Sequence, residues 1–397
     1  MTIWLLILST CVCAVALTMT IVNLTLYRRE PPLTAHGAPD HPRVSVCIPA
    51  RNEERNLHAC ATAILASTHT NLELLVYDDQ SSDNTPAILD QLIASDPRLR
   101  SIDTSPLPSG WVGKQWACSQ LGLAANGEFI LFIDADVRLE PSCIAHALRH
   151  ARALNASLLS TFPRQVTGGA GESLMVPLIH FILLSYLPFA RMRSSKDPRA
   201  SAACGQFILV QRTAYEQAGG HTPIRNSMHD GVKLPRVFRK AGFHTDLYDG
   251  TSQVSCRMYE GFAATWRGFA KNAYEGLGSP TLLIFITALH IIGYIVPWVA
   301  IFLIIRDSAW MSPLLPLAAA AIFMALVHRL ILALRFRQSV YSAVLHPIGI
   351  LLMAGVQWHS FILSLLGRRA WKGRTLAPPQ LTTDTRSPDT APKHEYS

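Results

Sequence analysis

The stretch from Thr2 to Leu26 contains no charged side chain and is followed at once by Arg28-Arg29. Lipid offers a backbone amide no hydrogen-bond partner, so such a run has to satisfy its own main chain as a helix. At about 1.5 Å of rise per residue it is long enough for a hydrocarbon core of roughly 30 Å. It lacks a basic leading segment and a small-residue cleavage site, which predicts an uncleaved anchor over residues 1–27 rather than a signal peptide. The two arginines place Pro31 onward on the cytoplasmic side.

Two further apolar stretches, Thr281 to Ile305 and Met311 to Leu334, are joined by Arg306-Asp307-Ser308 and predict a hairpin of spanning helices. A third, Val340 to Leu366, is interrupted by His346-Pro347, Gln357 and His359. If it spans, the basic run ending at Arg374 is left outside, against the positive-inside tendency; it therefore spans, re-enters or lies in the interface. Residues 280–366 thus read as a C-terminal membrane region with helices over 281–305, 311–334 and 340–366. The run 175–190 contains Pro177, His180, Ser185 and Pro188 and is too short for a clear span, so it reads equally as an interfacial helix or a buried core helix. The expectation is an integral protein of a cell inner membrane whose folded domain is cytoplasmic.

Only 16% of the residues are charged, which fits a chain with several apolar segments. The formal charge of +8 does not imply nucleic acid, because many of the basic residues flank the apolar runs, where they meet anionic headgroups. The eight cysteines are scattered without a C-x-x-C pair, as expected of small buried side chains in a reducing compartment. Residues 375–397, rich in Pro, Thr and charge, predict a disordered tail.

Residues 42–279 alternate strand-like and helix-like pieces. Val44 to Ile48, Leu72 to Tyr77 and Phe129 to Ile133 are β-rich, each ending in a polar cluster, with helical patterns over Asn56 to Ala66 and Thr85 to Ala94. The fold class expected is α/β, a mostly parallel Rossmann-like sheet whose ligands bind beyond the carboxyl ends of the strands.

The chemistry falls at those ends. Pro49-Ala50-Arg51-Asn52-Glu53-Glu54 follows the first strand; Asp78-Asp79 and then Ser81-Ser82-Asp83-Asn84-Thr85 follow the second. A nucleotide base and ribose can be held there by main-chain groups and the Asp79 carboxylate, while Asn84 or Thr85 reads as a helix N-cap. The third strand runs into Asp134-Ala135-Asp136. Two carboxylates two residues apart in extended chain project from one side, a costly pairing unless a cation neutralises it, and hard oxygens suit Mg²⁺ or Mn²⁺. An Asx-turn with a helix cap is the alternative. Asp230 precedes Val232, where a helix cap falls. Gly205, in Ala203-Cys204-Gly205-Gln206-Phe207, allows close approach of a ligand or marks a bulge.

The ordered set Val46 to Glu53, Val76-Tyr77-Asp78-Asp79, Gly113-Lys114, Asp134-Ala135-Asp136 and His229-Asp230-Gly231 resembles the family 2 glycosyltransferases of GT-A fold. The resemblance implies that Pro49, Ala50, Asn52, Glu53 and Asp79 hold the nucleotide of a UDP-sugar, with Lys114 nearby. Asp136, with Asp134 behind it, takes the metal and diphosphate, and Asp230 is the catalytic base of an inverting displacement. His229 stands where the family has an acidic neighbour. Gly205 and Gln206 resemble the segment lining the acceptor side.

The Q-x-x-R-W motif of polymer synthases is replaced by Thr265-Trp266-Arg267-Gly268-Phe269-Ala270-Lys271. There Trp266 stacks on an acceptor and Arg267 or Lys271 pairs with diphosphate, or the segment is a basic interfacial helix. The runs Gly110 to Trp116 and Ser255 to Tyr259 are similar to those of hopanoid-associated and carotenoid glycosyltransferases, which implies a lipid acceptor. The rival expectations are transfer to polyprenyl phosphate or polysaccharide, and a non-catalytic scaffold that keeps the fold.

Overall fold

The computed structural model describes residues 3–31, 41–307, 312–368 and the backbone of 370–371 and 374–375. The tail expected to be disordered lies outside the described residues apart from the backbone of Thr375.

Ten strands form the described domain: β1 (Val44–Ala50), β2 (Leu72–Asp78), β3 (Leu99–Ser101), β4 (Phe129–Ile133), β5 (Val137–Leu139), β6 (Leu158–Ser160), β7 (Arg164–Gln165), β8 (Phe207–Gln211), β9 (Thr245–Leu247) and β10 (Val254–Cys256). Seven make one sheet in the order β3-β2-β1-β4-β8-β6-β9. Its pairs are parallel except those of β8 with β4 and β6. β1, β2 and β4 are covered on both faces, which is why they are mainly apolar rather than alternating, with the buried Ser45 and Glu73 hydrogen-bonded to each other. One face packs on Leu57–Leu65 and Cys143–Ala153, the other on Gly113–Ala124 and Asp230–Lys240. The second sheet, β5-β10-β7, lies beyond the end of β4 and backs the site.

Four helices are long and apolar enough to cross a membrane: Ile3–Leu26, Pro280–Arg306, Leu314–Arg335 and His346–Leu365. The second bends before Pro297, giving Pro280–Tyr294 and Val296–Arg306. The run 175–190 is not one helix. It breaks at Pro177 and Pro188 into pieces, of which Leu178–Tyr186 is largely buried against Ile3–Leu26, with Asn23 Nδ2 donating to Leu184 O and Leu187 O at 2.8 and 2.7 Å. The last apolar stretch also differs from a continuous 340–366 helix: a short turn at Tyr341–Val344 precedes His346–Leu365.

Asp249 joins domain to bundle. Its carboxylate is fully buried and pairs with Arg29 at 3.3 Å and Arg335 at 2.7 Å, the basic ends of two apolar helices. Its N–H donates to Arg28 O, and His146 and His150 both donate Nε2–H to Arg29 O. Removing one partner of a buried ion pair strands the others, so Asp249→Asn is expected to cost about 3 kcal/mol, read as a lower unfolding temperature in detergent. Unchanged stability would show the pairing to be incidental.

Candidate active site

The loops after β1 and β2 are stitched to each other. Asn52 and Gln80 both sit at positive φ, 53° and 54°. Asn tolerates that conformation because its side chain finds local partners, and here Asn52 Oδ1 accepts from Ser82 N–H at 2.8 Å. Ser81 Oγ accepts from Asn52 N–H, Thr85 Oγ1 from Glu53 N–H and Asp83 from Glu54 N–H. The N-terminal capping expected of Asn84 falls to Asp83, whose Oδ1 accepts from Thr85 N–H at 3.0 Å, since Thr85 Oγ1 is committed across the loops. Pro49 and Ala50 close β1, and Ala50 O accepts from Asp79 N–H at 2.8 Å. Asp79, almost wholly buried, lies 3.8 Å from Arg51 Nη1. The same arginine also donates to Asp79 O.

The acidic centre lies at the end of β4. Lys114, at the start of Gly113–Ala124, places Nζ 2.7 Å from Asp134 Oδ1 and 3.0 Å from Asp230 Oδ2. A third contact, 3.4 Å, goes to Gly205 O. Gly205 is required by space: a Cβ there would lie 2.2 Å from Asp230 Oδ1. Gly231 is equally confined, its added Cβ meeting Ala203 O at 2.4 Å, and this fit lets Ala203 N–H donate to Gly231 O. The Ser160 hydroxyl holds the turn, accepting from Cys204 N–H and donating to Phe207 O.

Burial raises the Asp230 carboxyl, but the Lys114 ammonium outweighs it and holds the group below the ordinary carboxylate range. Asp134 shifts the other way, because burial and the nearby Asp230 together outweigh the lysine. Asp136 is pushed up to about 7 by burial and then by Asp134 and Glu53. Its Oδ1 is buried without a hydrogen-bond partner.

Other expected residues are placed differently. Gln206 faces the second sheet from the turn before β8: its Nε2 contacts Cys256 Sγ at 2.8 Å and its Oε1 accepts from Gln165. Trp266 leaves the acceptor role for packing, with Nε1–H donating to His359 Nδ1 at 2.9 Å and its ring against Gly355 on the last apolar helix. Arg267 lies on the same helix, Phe262–Ala270, and Lys271 directly follows it. The acidic neighbour that the sequence lacks beside Asp230 comes from elsewhere. Glu275, on Ala273–Leu277, accepts from Ser227 Oγ and Met228 N–H and raises the His229 ring's affinity for a proton, although burial keeps that ring below its ordinary value. Periodicity carries no signal for Glu275 or for Cys256, which lie in other segments and join the site only through the fold.

Residues 45–219 match the family described as Glycosyl transferase family 2. The match covers less than half of the chain. Two relatives, the 4,4'-diaponeurosporenoate glycosyltransferases of Staphylococcus haemolyticus and Staphylococcus aureus, are each 27% identical, over 64% and 60% of this chain. The aligned regions cover 65% and 63% of those proteins, so the chain spans less than two thirds of the relatives it matches. The mannosyltransferase PcManGT from Pyrobaculum calidifontis, solved with GDP-Man and Mn²⁺, superposes with a TM-score of 0.51 at 18% identity over 89% of this chain and 99% of that one. The fold of the glycosyltransferase domain is thus GT-A.

Among the described residues no three His, Cys, Asp or Glu side chains are grouped as a ready cation cage. The residues do fit a cation that shares its shell with a ligand: Asp136 keeps an unpartnered buried oxygen beside Asp134, and Mg²⁺-type ions are commonly held by one or two carboxylates plus substrate phosphates. The proton competes with the cation for Asp136, so Mn²⁺ affinity should rise as pH climbs through about 7. Titration of the full chain with Mn²⁺ and UDP is expected to show about ten-fold weaker binding at pH 6 than at pH 8, with Asp136→Asn losing the pH-dependent part. A flat profile in the unaltered protein would remove Asp136 from the cation site.

Proposed function

We propose that the chain is an inverting glycosyltransferase that moves a sugar from a nucleotide-sugar donor, a UDP-sugar, to the polar end of a membrane-dissolved lipid, with a carotenoid-type acid as the favoured acceptor class. The observation that carries this reading is the Lys114 ammonium shared by Asp134 and Asp230 against Gly205, at the carboxyl edge of the sheet and above a helical bundle. The membrane is a cell inner membrane and the domain faces the cytoplasm, a placement supported by Arg28, Arg29 and Arg335 on the domain side of the apolar helices.

The donor lies across adjacent strand ends, its nucleoside against Ala50, Glu53 and Asp79 and its diphosphate toward Asp134 and Asp136. A divalent cation held by those two carboxylates supplies positive charge to the departing diphosphate. Lys114 adds a second, permanent charge there, and the donor displaces it from at least one carboxylate. Asp230 then faces the acceptor across Gly205. For a hydroxyl acceptor its freed carboxylate takes the proton as oxygen attacks the anomeric carbon from the face opposite the diphosphate. A carboxylate acceptor is already ionised, and Asp230 then orients rather than deprotonates. One displacement inverts the anomeric centre in either case.

The acceptor reading draws on the relatives' named substrate and on the helices that connect site to bilayer. Ala273–Leu277, which holds the loop before Asp230 through Glu275, packs on His346–Leu365, where Tyr274 N–H donates to Ser360 Oγ at 3.0 Å. That last helix touches the short helices Ala170–Met175, Phe262–Ala270 and Ala273–Leu277. A helix lying along the interface accounts for those contacts, near both of its ends, and leaves the basic segment after Leu366 on the cytoplasmic side.

The test presents detergent-solubilised protein with labelled nucleotide sugars and a membrane lipid extract. The unaltered chain should form a labelled lipid, and Asp230→Asn should lower transfer to a hydroxyl acceptor about 10²-fold or more, and transfer to a carboxylate acceptor less, while UDP still binds. Gly205→Ala, which drives the Asp230 carboxylate from its place, should cost about 10²-fold with the fold intact. Equal transfer by Asp230→Asn would remove the base assignment, and donor turnover without lipid product would remove the lipid acceptor.

A further inference from the structure

The helical bundle contains a polar cluster that glycosyl transfer does not use. Arg329 lies six residues, about 9 Å of helix, before Arg335 and so below the domain boundary. It is fully buried, with its guanidinium 5.9 Å from the centre of the Phe181 ring. Around Phe181 stand the rings of His346, Tyr294, His328 and His290, with centroids at 4.7, 5.3, 5.3 and 6.0 Å. Arg329 Nη2 reaches Ser342 Oγ and Gln338 Oε1 at 3.3 and 3.4 Å, but Nε and Nη1 have no hydrogen-bond partner, nor has either ring nitrogen of His346. Among the described residues no carboxylate lies within ion-pair distance of Arg329.

A guanidinium this deep among apolar helices is costly unless an anion meets it, and ionisable groups at such depth generally mark a ligand site. The Nη1–Nη2 edge, on which Nη1 is unpartnered, is a planar two-donor edge that matches a carboxylate, and Nε–H on the other side of Nη2 is a further unused donor. Arg329 is also the one permanently charged group of the cluster, so a monoanion leaves the pair neutral whereas a phosphate dianion leaves excess charge in a low dielectric. We propose that this cluster is a binding site for the carboxylate of a long-chain acid dissolved in the membrane, separate from the transfer site at Asp230. The carboxylate lies on the Nη1 side of Arg329, hydrogen-bonded by His346, and the chain runs along the lipid-facing side of the bundle.

The test uses the full chain in phosphatidylcholine nanodiscs at pH 8, titrated with labelled palmitate, hexadecyl phosphate and hexadecanol. Palmitate is expected to bind saturably, at least ten-fold more tightly than hexadecanol and more tightly than hexadecyl phosphate. Arg329→Gln should erase the preference for acid over alcohol; Arg329→Lys, which keeps the charge but loses the fork, should retain part of it. UDP binding, unchanged in both variants, reports that the domain is folded. Equal binding of acid and alcohol by the unaltered protein, tighter binding of the phosphate, or a preference that survives Arg329→Gln would overturn the site. The unaltered protein alone decides the first two outcomes, so a variant that fails to fold does not shield the proposal, and none of the readouts depends on sugar transfer.

Discussion

The ammonium of Lys114 makes the acidic centre possible. Asp134 and Asp230 come from the end of a strand and the start of a helix far apart in sequence, and burying both without a cation would be prohibitive. With the lysine between them, each carboxylate can be placed at the carboxyl edge of the sheet. Gly205 lets the backbone approach the same point, which fixes the distance between the acceptor-side turn and Asp230. The three segments are thereby held in one arrangement before any donor arrives, and the cost of orienting them falls on folding rather than on binding.

A second ionic contact, at Asp249, sets that centre against the bilayer. Two apolar helices end on one buried carboxylate through Arg29 and Arg335, so the domain is fixed to the bundle rather than tethered by a flexible linker. The helix Ala273–Leu277 makes a further link between the last apolar helix and the loop that carries Asp230. Changes in the bundle therefore have a short mechanical route to the catalytic loop.

The parts of this arrangement legible in the sequence are those carried by local pattern. Strands buried on both faces announce themselves as apolar runs, and the clusters at Glu53, Asp79 and Asp134 followed because ligand groups gather where such strands end. Alternation puts Asp134 and Asp136 on one side of an extended chain, but in the structure Ala135 and Asp136 form a turn, closed by Val137 N–H donating to Asp134 O at 3.1 Å. Gly205 and Gln206 are paired by resemblance, and the turn they form aims the Gln206 amide at Cys256 and Gln165 instead. Trp266 illustrates another limit. Its spacing suits both an acceptor platform and a packing ridge, and only the position of His359, 93 residues away, decides between them. The run 175–190, read as a single interfacial or buried helix, breaks at its prolines, and its middle piece packs against the first apolar helix.

The carboxylates divide the chemistry because their surroundings push them apart. Asp230 stays ionised beside Lys114, whereas Asp136 holds its proton up to about neutral pH with no such partner. A group kept ionised by a lysine is a weak base until that lysine moves, and the negative charge of a bound diphosphate is what can draw it away. On the proposed function, donor binding and activation of Asp230 would be one event: the lysine would shift its charge to the diphosphate and release the carboxylate toward the acceptor.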